Sequence, residues 1–103
     1  MNKIDEFGQV VDQGDARKAV RDRVLFLAPL ARASGEPLGQ VKVRNISSLG
    51  LLAETGVPLR IGEAVQVDLR GIGAVTGVVM RRTPNAIAIK FDLPIDPKLT
   101  RKV

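Results

Sequence analysis

The chain has 103 residues, with 16 lysines and arginines against 11 acids, and neither cysteine nor histidine. That length suits one domain with a modest core, and the missing thiols and imidazoles exclude disulfides, the usual zinc sites, thiol nucleophiles and histidine-dependent triads. The net charge of +5 is uneven, −3 over residues 1–16 and +8 over the rest, so the body attracts anions.

Taken in order, residues 1–16 place Ile4, Phe7, Val10 and Val11 at roughly helical spacing, but Gly8 and Gly14 break the pattern among acidic neighbours. A flexible N-terminal arm with a helical turn is expected there. The segment RKAVRDR, 17–23, gathers Arg17, Lys18, Arg21 and Arg23 around Asp22 without apolar periodicity and reads as an exposed loop. Residues 24–30 (VLFLAPL) are a nearly continuous apolar run rich in strand formers. A central strand is predicted, with Pro29 at a bend or an unpaired edge position. Ser34, Gly35 and Pro37 turn the chain, after which residues 40–44 alternate, Val41 and Val43 against Lys42 and Arg44, as a half-buried strand does. It runs into the turn NISSLG, 45–50, where Asn45 and Ser47 can bond nearby backbone and Gly50 admits a positive φ or a close approach.

Residues 51–54 read as a short strand, followed by a loop bounded by Gly56, Pro58 and Gly62. Val65, Val67 and Leu69 alternate with Gln66, Asp68 and Arg70, another strand with one wet face. Residues 74–82 and 86–91, linked by Thr83, Pro84 and Asn85, form a predicted hairpin. Asp96 before Pro97 is an N-cap signal that leaves room for a short C-terminal helix. Six short strands at regular spacing predict an all-β fold, a six-stranded antiparallel β-barrel, closed or nearly so. One domain, 17–103, follows the arm, 1–16.

Two stretches carry the chemistry. Arg17 and Arg21 offer guanidinium groups suited to phosphate and to the edge of guanine, and a polar turn follows one strand later, so an anionic, purine-bearing ligand is implied. A solvated charge run and an ordinary Asx-type turn are the competing readings. Arg44 and Arg81 or Arg82 can lie near this site, although a solvated strand face is the role expected of each, and Glu63, Asp68 and Asp92 read as surface carboxylates with no evident partner. No catalytic group, metal set or cofactor is expected. The longest apolar run, 24–31, is far too short for a span and MNKIDEFGQ lacks the regions of a signal peptide. No membrane insertion and a cytoplasmic location are therefore expected.

Together the two motifs resemble the PilZ domain, a bacterial receptor module for cyclic di-GMP. The family signature RxxxR is filled by Arg17 and Arg21, and [D/N]xSxxG by Asn45, Ser47 and Gly50, with 23 residues between the motifs. Lys18 stands where the family often has a further arginine. The resemblance implies a ligand site at Arg17, Arg21, Asn45, Ser47 and Gly50, and a signalling module rather than an enzyme. Binding is expected to order the arginine loop and to relay the change to a downstream protein effector. The alternative is a PilZ-like protein-interaction domain that binds no nucleotide. A nucleic-acid-binding barrel is disfavoured, because three Phe with no Trp or Tyr provide few stacking platforms.

Overall fold

Successive side chains of a β-strand point to opposite faces, so apolar residues at every second position can be buried while their neighbours stay in water. The computed structural model describes the backbone at residues 3–4, 10–11 and 22–100, with side chains from 23 to 100. Two short strands, β1 (Lys3–Ile4) and β2 (Val10–Val11), pair antiparallel. At these positions a ladder replaces the expected helical turn, in keeping with the β-branched side chains of Ile4, Val10 and Val11. The rest of the arm, and the flexibility expected of it, lies outside the described residues.

Six further strands follow: β3 (Asp22–Arg32), β4 (Pro37–Ile46), β5 (Gly50–Glu54), β6 (Ala64–Leu69), β7 (Gly73–Arg82) and β8 (Ala86–Phe91). They form a closed antiparallel barrel in the order β3-β4-β5-β8-β7-β6. The seam closes where Leu30 and Arg32 of β3 face Val67 and Val65 of β6. Closure pairs the two end strands of the sheet over three residues of β3, Leu30, Ala31 and Arg32, and so hides part of each edge. The interior is filled from every strand, by residues such as Leu30, Val43, Leu51, Val67, Val79 and Ile89, each at most 1% exposed. Burying an aliphatic side chain of this size contributes about 1.5–3 kcal/mol.

Two strands extend by two residues or more beyond their sequence patterns. β3 begins at Asp22, so Arg23 belongs to a strand and not to a loop, and β4 runs on to Ile46, so Asn45 is a strand residue rather than part of the turn. The apolar run of β3 is buried on one face only. Phe26, Ala28 and Leu30 point inward, while Leu25 and Leu27 are 66% and 58% exposed. A barrel has a single dry side, unlike a parallel sheet covered on both faces. Pro29 faces Gln40, and the register breaks between Pro29 and Ala31, the irregularity expected of a residue without an N–H.

The hairpin of β7 and β8 forms as expected, with Thr83 N–H donating to the Ala86 carbonyl at 2.8 Å. The expected C-terminal helix is a single 3-10 turn, Pro97–Thr100, whose start is capped by Asp96 Oδ1 accepting from Lys98 N at 3.0 Å. Arg70 ties this turn to the barrel. Its Nε donates to the Thr100 carbonyl at 2.5 Å and its guanidinium lies 4.4 Å from the centre of the Phe26 ring. Among the described residues no helix is long and apolar enough to cross a membrane.

Candidate functional site

Strict alternation in β4 stops at Val43. Val41 and Val43 are buried and the next buried residue is Ile46, so Arg44 and Asn45 both line the outer surface. Pairing supplies the cause. Val43 faces Ala53 and Asn45 faces Leu52, which leaves Arg44 as an extra residue opposite β5. On the other side Arg23 faces Asn45 and Phe26 faces Val43, so β3 spends two residues, Val24 and Leu25, against the one of β4. Such bulges bend a strand and re-aim side chains, and they recur beside binding sites.

The result is an open groove of about 780 Å³ on the barrel wall, a size typical of ligand pockets. Leu25, Leu52 and Ala86 give it apolar walls, and Arg23 and Arg44 bring cationic side chains to it. Glu54 lies across from them, with Arg44 Nη1 donating to its Oε2 at 2.5 Å. Both side chains are about half exposed, 49% and 46%. An ion pair this wet contributes about 0–1 kcal/mol, so either partner can exchange it for a ligand group. Asn45 is half-buried and makes no side-chain hydrogen bond among the described residues.

The turn after β4 uses Ser47 and Gly50 differently from Asn45. Ser47 is 1% exposed, and its Oγ accepts from the backbone N–H groups of Leu49 at 3.1 Å and Gly50 at 3.3 Å. Its own N–H donates to the Gly50 carbonyl at 2.9 Å. A serine hydroxyl folded back on its own loop fixes the turn. Gly50 does not take a positive φ. Its requirement is the close approach, because a Cβ there would collide with the Ile89 carbonyl of β8. Phe91 N–H to the Leu49 carbonyl, 2.8 Å, and Ile95 N–H to that of Ser48, 2.9 Å, pin the same turn to the end of β8.

Arg17 and Arg21 lie outside the described residues. β3 starts at the residue after Arg21, and Arg23, one residue further along, lines the groove. The groove also contains Arg44, expected near the site but favoured as a solvated strand face, together with Arg23 and Glu54, which no sequence motif marks as ligand-binding. A signal was present: apolar residues at 41, 43 and 46 change spacing from two to three, the mark of a bulge. Asp68 and Asp92 are exposed, as expected, but Glu63 is not a lone surface carboxylate. It accepts from Arg32 Nη1 through Oε2 and from Arg60 N–H through Oε1 at 3.1 Å. Arg32 stands 31 residues away in sequence, which is why no local pattern announced the pair. No cluster of three or more potential metal ligands occurs among the described residues.

No curated protein matches the chain. A model of the PilZ domain matches residues 15–103, which include every barrel strand and both motifs. The chain therefore belongs to the PilZ domain family, a family of cyclic di-GMP receptor modules.

Proposed function

We propose that this protein is a cytoplasmic cyclic di-GMP receptor, with residues 17–103 as the receptor domain and residues 1–16 as an arm. The ligand lies along the bulged end of β4, where Arg17 and Arg21 take its phosphates and purine edges. The observation that carries this reading is the bulge at Arg44, which brings Asn45 out beside Arg23 within three residues of Arg21. Asn45 offers an amide to a guanine, and Ser47 and Gly50 act by holding the turn in shape. Hydrogen bonds to charged groups contribute roughly 1.5–3 kcal/mol each. A few of them support micromolar binding, about −8 kcal/mol, after the cost of ordering the arginine segment.

Binding is proposed to order that segment, since two phosphates offset the repulsion among Arg17, Lys18, Arg21 and Arg23. The changed surface is then read by a partner protein, for which the exposed Leu27, two residues along β3 from the groove-lining Leu25, offers apolar contact. Calorimetric titration with cyclic di-GMP, with GTP and cyclic GMP as controls, tests the reading. Micromolar or tighter binding is expected for cyclic di-GMP alone. A flat trace at high micromolar ligand overturns it in favour of a constant protein-interaction domain.

A further inference from the structure

The hydroxyl of Ser47 is committed to its own turn, so the side-chain acceptors that the groove offers to a purine are the Asn45 amide oxygen and the Glu54 carboxylate, and only the second can meet two donors on one edge while Arg44 stands beside it. Guanine presents a carbonyl acceptor, O6, beside two donors, N1–H and the N2 amino group. Adenine presents a donor at N6 beside an acceptor at N1. A surface that reads guanine on this edge therefore needs a donor next to one or two acceptors, in that order.

We infer that Arg44 and Glu54 together read the guanine base, with Arg44 donating to O6 and the Glu54 carboxylate accepting from N1–H and N2–H. The assignment rests on the proposal that this groove holds cyclic di-GMP. Three observations point to it. Arg44 and Glu54 are already side by side, Nη1 to Oε2 at 2.5 Å, which sets donor and acceptor next to one another. Both line the groove with Leu25, Leu52 and Ala86, apolar surface against which a base can lie flat. Both are half exposed, so their polar atoms remain open to a ligand edge.

A carboxylate in a cationic groove also needs a reason to be there. It opposes the phosphates that Arg23 and Arg44 attract, so on affinity for an anion alone Glu54 is a defect. Against a base edge with two N–H donors it is matched, since an ionised carboxylate accepts through both oxygens and has lone pairs left for Arg44. The same carboxylate repels the N1 lone pair of adenine. The groove thus selects the base by charge as well as by shape, and discrimination comes from the mismatched edge displacing water from Arg44 and Glu54 without replacing its hydrogen bonds.

The test compares cyclic di-GMP with cyclic di-IMP, which keeps O6 and N1–H but lacks the N2 amino group, on the wild type and on Glu54→Gln. The wild type is expected to prefer cyclic di-GMP by roughly tenfold, and Glu54→Gln to weaken cyclic di-GMP roughly tenfold to a hundredfold while the preference falls towards one. Thermal unfolding should be unchanged, because Glu54 is exposed at a strand end. If Glu54 only positions Arg44 against a phosphate, both ligands weaken equally and the preference survives, which overturns base reading but leaves the receptor intact. If the wild type binds neither ligand, the receptor reading fails and this inference falls with it.

Discussion

The barrel carries two grooves of nearly equal size, 780 and 790 Å³, and both are lined by arginine. In the second, formed by the loop 58–63 with Arg32 and Arg82, one of the arginines, Arg32, is already matched. Arg32 meets Glu63 and, at 3.1 Å, Glu36, and Glu63 also holds the turn through Arg60 N–H. The Glu63 side chain is 21% exposed. In the first groove Arg44 meets only Glu54 among the described carboxylates, both partners are about half in water, and Arg23 adds a further cation. Counting arginines does not separate the two grooves. What separates them is one arginine in each: Arg32 meets two acids in a drier arrangement, whereas Arg44 meets one acid in water and can exchange it for a ligand group.

That contrast can be broken most severely from the side of the first groove. Replacing Arg17 and Arg21 together by alanine is expected to weaken cyclic di-GMP by about 3 kcal/mol or more, over a hundredfold, with the melting temperature unchanged. Calorimetry and thermal unfolding on the same sample check it, and full affinity in the double variant would remove these arginines from the site. Gly50→Ala acts on the fold beneath the groove. The added Cβ strikes the Ile89 carbonyl, so β5 and β8 must part, at a cost of roughly 1–3 kcal/mol in urea unfolding. An unchanged unfolding midpoint would show that the strand spacing yields.

Glu63→Ala sharpens the comparison from the other side. It takes a partner from Arg32 and an acceptor from Arg60 N–H, so stability is expected to fall by about 1–2 kcal/mol while affinity for cyclic di-GMP stays the same. A loss of affinity without a loss of stability would reverse the roles assigned to the two grooves. The smallest effect is expected from Arg60→Ala with Arg82→Ala. Both side chains are exposed on the second groove, and stability and ligand affinity should each change by less than about 0.5 kcal/mol. A clear drop in binding would place the ligand across both grooves.

Most of the barrel was legible because period-two alternation is local. Val65, Val67 and Leu69 announce β6, and the run 86–91 after a Pro-Asn turn announces β8. The site was less legible, for reasons that can be named. Asn45 looked like a turn residue because a bulge ends the alternation at Val43, and a bulge exists only through mismatch with two neighbouring strands. Ser47 looked available to a ligand because a hydroxyl folded back on its own turn carries the same letter as one facing outward. Arg44 looked like a solvated strand face because its neighbours in the groove, Arg23, Leu52 and Glu54, come from other strands.

By itself the sequence determined the six barrel strands, the two motifs and the family they spell, since each depends on residue type at short spacing and needs no knowledge of distant partners. Tertiary structure decided which arginines are already matched, by bringing Glu63 to Arg32 across 31 residues. It also decided which face Asn45 takes, through the extra residue at Arg44. Charge pairing and strand register both depend on what lies opposite in space, and in a closed barrel that neighbour is set by the order β3-β4-β5-β8-β7-β6 rather than by position along the chain.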